Sequence, residues 1–215
     1  ISSYDADGRL SFVTYPSGQA VHYVYTATGY LCRLTDGTGA PTCSASGGSH
    51  VYWTANSRDA ELHLTQAAAG NGVVTNQAFD PNTGLPATIQ AGPTGTPTSV
   101  ANFSYIFDTL GNLTSRTDVI ENYTERFCYD NLNRITDYAI GATCTSTGTK
   151  HVGYDVLGNI TSKAGVGTYT YSRTGAGQHA VTSITGTVDG VTNPVFAYDA
   201  NGNQNCEYAL SGGNC

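Results

Sequence analysis

Short runs of carboxylate, asparagine and glycine are the parts of this chain whose residue types and spacing invite chemistry. Asp5-Ala6-Asp7-Gly8 and Asp199-Ala200-Asn201-Gly202 begin like oxygen-ligand loops for a hard cation. The later ligands and the distal glutamate of such a loop do not follow. Aspartate pairs can also serve glycoside hydrolysis. Most aspartates here, however, open a four-residue turn, where the carboxylate is taken up by the backbone amides ahead of it. The five histidines, His22, His50, His63, His151 and His179, are scattered, with no two at metal-ligand spacing. Gly165-Val166-Gly167 lacks the strand-turn-helix setting of a phosphate loop, and no Gly-x-Ser-x-Gly elbow is present. Asn112-Leu113-Thr114 and Asn159-Ile160-Thr161 match the N-glycosylation pattern, but they also spell out a recurring turn. The expectation is a protein that is not an enzyme, with no catalytic, cofactor-binding or metal-binding residues.

The elements that carry these runs are hairpin turns. "YDADGRL" at Tyr4 returns as "FDTLGNL" at Phe107, "YDNLNRI" at Tyr129, "YDVLGNI" at Tyr154 and "YDANGNQ" at Tyr198. Aligning the opening aromatics adds Tyr25 with Gly29 and Leu31, Phe79 with Asp80 and Gly84, Tyr171 with Gly175, and Trp53 as a ninth opener. One unit is roughly 20 to 28 residues, the length of two strands and two connections. In Asp5-Ala6-Asp7-Gly8 the Asp-first, Gly-fourth pattern favours a type I turn, and Gly8 is free to adopt the left-handed conformation that a following bulge needs. The hairpin then closes through Asp5 and Arg9, with Tyr4 opposite Leu10. The same geometry sets Tyr25 against Leu31, Phe107 against Leu113 after Asp108 and Gly111, Tyr129 against Ile135 after Asp130, and Tyr154 against Ile160 after Asp155 and Gly158. The last copy has Asp199 and Gly202 but Gln204 in the apolar place. Asn133 replaces Gly in the turn at Tyr129, the turn at Asp80 has one extra residue, and Thr26 and Ser172 stand where Asp is usual.

Composition agrees with an all-β chain. Of 215 residues, 26 are Gly and 15 are Tyr, only 12% are charged, and Pro and Gly punctuate every segment. The stretch 58–69, "RDAELHLTQAAA", is the one helix candidate, and the alternation of Leu62 and Leu64 suits a strand better. A net charge of −7 argues against a nucleic-acid partner, and no apolar run is long enough for a membrane span. The tyrosines suggest a stacked core ladder, with a sugar-binding stripe as the exposed alternative. The six cysteines form local couples, Cys32 with Cys43, Cys128 with Cys144, and Cys206 with Cys215. Read as three loop-closing disulfides, with six buried reduced thiols as the alternative, they place the chain outside the cytosol, at the cell surface or secreted.

The repeated Y-D-x-x-G-[RN]-[LI] turns, together with "GYDVLGNITSKAGVGTYTYSRTGAGQHAVTSI" at 153–184, resemble the RHS/YD-repeat family over nearly the whole chain. That family includes Rhs-type toxin shells, the C component of Tc toxins and the teneurins. The resemblance implies a spiralling sheet of hairpins that winds into a hollow shell, which encloses a toxic C-terminal polypeptide in the bacterial members. On this reading residues 1–215 are a single array of about nine units. The array is a piece of a longer chain, since it begins without Met and lacks the family's closing parts. Its partners are flanking repeats or other copies, and an enclosed toxin polypeptide. The competing expectation is a self-assembling extracellular filament or adhesive module, built head to tail through unpaired strand edges.

Overall fold

The computed structural model describes residues 1–36, 41–44, 50–141, 143–144, 150–171 and 177–209. The fold is all-β, with no helix among the described residues. Contacts divide it into two units, Ile1–Phe107 with Arg116–Tyr123, and Asp108–Ser115 with Thr124–Cys215.

The first unit is an antiparallel meander of β1 (Ser2–Tyr4), β2 (Leu10–Thr14), β3 (Ala20–Tyr25), β4 (Leu31–Thr35), β5 (Val51–Arg58), β6 (Leu64–Ala69), β7 (Val73–Phe79), β8 (Pro86–Pro93) and β9 (Ala101–Phe107). Each strand pairs with the next in sequence. Strand β10 (Leu113–Asp118) has residues in both units. The second unit continues with β11 (Tyr123–Tyr129), β12 (Ile135–Ile140), β13 (Lys150–Tyr154), β14 (Ile160–Lys163), β15 (Gly167–Tyr171), β16 (Val181–Val188), β17 (Val191–Thr192), β18 (Pro194–Tyr198) and β19 (Gln204–Ala209). It is a meander up to β16, which pairs with both the two-residue β17 and β18; β18 then pairs with β19.

The Tyr, Thr and Val content explains the strands, because branched and aromatic side chains fit a pleated surface. Burial is shallow. Strands β3, β6, β8, β12, β13 and β16 bury Val24, Ala67, Ala91, Ala139, Val152 and Ile184. Most other strand residues are only half-buried. Amides add a second cohesive element in the first unit. Asn56 donates to Gln66 at 3.0 Å, Gln66 donates to Asn76 at 2.7 Å, and Gln90 donates to Asn102 at 3.1 Å. Cross-strand register places Gln66 against Asn76, Asn76 against Gln90, and Gln90 against Asn102, so amides line up from β5 to β9.

Two expectations need correction. Trp53 opens no turn; it lies within β5, between Leu34 and Ala69. The turn belongs to the stretch with Leu62 and Leu64, where β5 ends at Arg58 and β6 starts at Leu64. The Asp59 amide donates to the His63 carbonyl and the Leu62 amide to the Asp59 carbonyl, both at 3.1 Å. Leu62 takes the glycine place with φ +70°. Its alternation with Leu64 is therefore a turn followed by a strand.

Two disulfides lie among the described residues, Cys32–Cys43 and Cys128–Cys144. Cys206 lies in β19, but its expected partner Cys215 falls outside the described residues, as does Gly175.

Candidate functional site

One piece of chemistry is built over and over, at the turns. In the turn at Tyr4, the Asp5 amide donates to the Arg9 carbonyl at 2.8 Å, and the Gly8 amide donates to the Asp5 carbonyl at 3.1 Å. Asp5 Oδ1 accepts from the Asp7 and Arg9 amides, and Oδ2 accepts from Arg9 Nε at 2.7 Å. Gly8 has φ +76°, which L side chains adopt only with strain. Beyond the resulting bulge Tyr4 faces Leu10. We call Tyr4 the opener of such a turn and Leu10 its clamp.

Asp108, Asp130, Asp155 and Asp199 bind their own turns in the same way, through Asn112, Arg134, Asn159 and Asn203. Their openers face Ile135, Ile160 and Gln204 at Tyr129, Tyr154 and Tyr198. Thr26 does part of this work with one hydroxyl, accepting from the Tyr30 amide at 3.1 Å, and Tyr25 faces Leu31. Asp80 holds the longer turn through Asn82 and Thr83, so that Phe79 faces Pro86. Tyr171 faces Val181 across a longer connection. Asn133, in the glycine place, has φ +58°.

These donors fix the electrostatics. The Asn112 side chain and amide hold the Asp108 carboxyl below its usual value, and Arg134 does the same for Asp130, as Asn203 does for Asp199. At Asp5, Asp59 and Asp155 desolvation is the largest single influence and pushes upward, but the donors together outweigh it.

The openers do something that sequence reading missed. The Tyr25 hydroxyl donates to the Leu10 carbonyl at 3.0 Å, which is the clamp of the preceding turn. Tyr129 reaches Leu113, Tyr154 reaches Ile135, Tyr171 reaches Ile160 and Tyr198 reaches Val181, all between 2.8 and 2.9 Å. Each of these tyrosines ties its hairpin to the one before. Arg58 fills the same place before the Asp59 turn, donating from Nη2 to the Leu31 carbonyl at 3.4 Å. The signal that points to this is the preference for Tyr over Phe at the opener, since only Tyr carries a donor. It also corrects the expected core ladder of stacked rings. Tyr25 and Tyr154 lie under the Arg9 and Arg134 guanidinium groups, 4.6 and 4.5 Å from the ring centres, rather than on one another.

Residues 4–41 match the family model described as RHS Repeat. This stretch carries an RHS repeat. No curated protein matches it. Among solved structures it is similar to a chain of the Photorhabdus luminescens Tc holotoxin pore, with 14% identity, a TM-score of 0.47, and coverage of 96% of this chain and 13% of that one. A TcdB2–TccC3–Cdc42 complex and a TcdB2–TccC3–TEV complex give the same identity, TM-score and 13% share, each covering 95% of this chain. The chain thus spans about an eighth of the length of the solved chains it matches.

The remaining chemistry-bearing residues are occupied locally. Asp7 Oδ2 lies 2.8 Å from Arg9 Nη2, so both carboxylates of the calcium-like run face arginine. No cluster of three or more metal-ligating side chains occurs among the described residues. His63 pairs with Asp59 at 2.9 Å, His50 with Asp36 at 2.9 Å, and His151 with Asp137 at 3.0 Å. His179 Nδ1 lies 2.7 Å from Asn159 Oδ1, and His22 stacks on Phe12. Both sequon asparagines spend their side-chain amides on their turns, and Asn159 is buried.

Proposed function

We propose that this chain is a structural, non-catalytic stretch of a secreted RHS-type protein whose stacked hairpins form the wall of an encapsulating β-shell. The observation that carries this reading is the hydroxyl-to-carbonyl bond that ties the hairpins opened by Tyr25, Tyr129, Tyr154, Tyr171 and Tyr198 each to the clamp of the preceding one. Such bonds serve cohesion of a row and leave the carboxylates committed to turns. Residues 1–215 act as one array of about nine units. The partners of the array are flanking repeats, and its cargo is a toxin polypeptide in the enclosed space. Two disulfides support an oxidising compartment, outside the cell or at its surface.

A second reading, a head-to-tail filament, draws on the sheet ends: β1 pairs with β2 and β19 with β18. Negative-stain electron microscopy with and without reductant separates the two. Hollow particles or monomers support the wall. Long fibres with a short axial repeat overturn it in favour of the filament.

A further inference from the structure

The turn between β2 and β3 repeats the backbone of the Asp-to-Gly turns without their carboxylate. The Tyr15 amide donates to the Gln19 carbonyl at 2.8 Å, and the Gly18 amide donates to the Tyr15 carbonyl at 2.9 Å. Gly18 has φ +83°, and Pro16 supplies the fixed φ that suits the second place of such a turn. Tyr15 stands in the aspartate's place and is 48% exposed. Where the other turns bind a carboxylate, this one presents a ring.

That ring borders a cavity of about 620 Å³, open to solvent and built within the first unit. Val21 and Tyr23 alternate along β3 and share a face, and Leu34 on β4 stands opposite Tyr23. Tyr52 comes from β5, and Gln19 Nε2 donates to its hydroxyl oxygen at 2.8 Å. Among the described residues no charged side chain lines the space.

The hydrogen-bond polarity of this lining is one-sided. The Gln19 bond uses the Tyr52 oxygen as acceptor and leaves its proton to point elsewhere. Among the described residues the hydroxyl protons of Tyr15, Tyr23 and Tyr52 find no acceptor, whereas openers such as Tyr25 and Tyr129 spend theirs on clamp carbonyls. Apolar walls with unspent O–H donors fit a ligand that is uncharged, apolar, rich in carbonyls and poor in N–H groups. A run of prolines has that chemistry. Each tertiary amide carries an oxygen and no donor, and the polyproline II helix makes no internal hydrogen bonds. Aromatic-lined grooves take such segments at low entropic cost. A glycan brings hydroxyl donors as well as acceptors and matches this lining less well. A cationic ligand finds no carboxylate in it.

We propose that the cavity lined by Tyr15, Tyr23 and Tyr52 is a docking site for a proline-rich polypeptide segment in polyproline II form. The rings pack on prolines, and the hydroxyls donate to the segment's carbonyls.

The test titrates the full chain, labelled at tyrosine, with acetyl-decaproline amide and follows the tyrosine ring resonances by NMR. A small set of them should shift together and saturate. A Gly-Ser decapeptide, which restores an N–H at every residue, should move none of them, and neither should maltohexaose. The double variant Tyr15→Phe with Tyr52→Phe keeps both rings and loses both donors, and it should weaken decaproline binding by about tenfold. Resonances that stay in place with decaproline overturn the proposal, as does an affinity that the double variant leaves unchanged. Shifts with maltohexaose in place of decaproline overturn it in favour of a glycan. The parent titration with its two control ligands needs no variant, so it decides the matter by itself if the double variant does not fold.

Discussion

The Tyr129 hydroxyl donates to the Leu113 carbonyl 2.8 Å away, joining the edge of one hairpin to the clamp of the hairpin before it. A phenylalanine keeps the ring and loses the bond. Tyr129→Phe is expected to lower stability by about 1 kcal/mol, and Tyr198→Phe by a similar amount, read as a shift of the urea midpoint at constant m-value. An unshifted midpoint for both removes the cohesive role assigned to the hydroxyl.

The pH dependence has two limbs. The turn carboxylates Asp108, Asp130 and Asp199 sit below their ordinary value of 3.8, held by their asparagine and arginine donors. The folded state therefore binds fewer protons than the unfolded chain. This contribution is complete above the ordinary carboxylate range and is lost as pH falls through the lowered values. On the alkaline side, burial raises Tyr129, Tyr171 and Tyr198 above 10.0. Their contribution is complete below that value and is lost as pH climbs through the raised ones. Melting temperature between pH 2 and 11 should fall at both ends. Asp130→Asn should flatten the acid limb in part.

Glycine-place conformation can be tested in both directions. Gly158→Val adds a branched side chain at φ +88° and should destabilise by roughly 1–2 kcal/mol. Leu62→Gly relieves a left-handed leucine that is 46% exposed, and should stabilise by roughly 0.5–1 kcal/mol. Opposite signs are required, and thermal unfolding of the two variants checks them.

Gln66 sits between two amide partners, accepting from Asn56 and donating to Asn76. Gln66→Ala leaves both neighbours short of a bond and should cost about 1–2 kcal/mol, against a few tenths for the exposed Asn56→Ala. Equal effects would show that the amide row does not contribute cohesion.

Reduction should act through the loops. Cys128–Cys144 closes a separation of 16 residues, and Cys128→Ser with Cys144→Ser is expected to cost about 3 kcal/mol on the chain-entropy argument. A double variant that melts with the parent under oxidising conditions would sink that expectation.

The Asp-to-Gly turns with their opener and clamp were legible because local chemistry decides them: a carboxylate close to amide donors and a residue tolerant of positive φ. The turn at Asp59 was not, since Arg58 replaces the aromatic and Leu62 the glycine, leaving Asp59 as the one local cue. Its neighbours in the row impose the hairpin despite the strain at Leu62. Trp53 drew the alignment because it is the large aromatic nearest the missing opener. The destination of each tyrosine hydroxyl was also hidden, because it lies 11 to 19 residues back and depends on how hairpins stack side by side. The amide row across β5 to β9 depends in the same way on strand register, which spacing in one chain does not display.

Arg9 lies over the Tyr25 ring, but one junction later Tyr30 supplies the ring and Arg58 the cation, 5.0 Å from the ring centre, and this exchange bears on how such a gene can change. If units were identical, recombination between them could add or remove one at any point without penalty. Here a crossover that joined the Tyr30 hairpin to one opened by Tyr would set ring against ring, and one that placed Arg9 before Arg58 would set cation against cation. Whole-unit duplication is compatible where an arginine hairpin meets a tyrosine opener and is penalised at the exchanged junction. The order of hairpins along the chain is thereby heritable as a sequence of compatible joints.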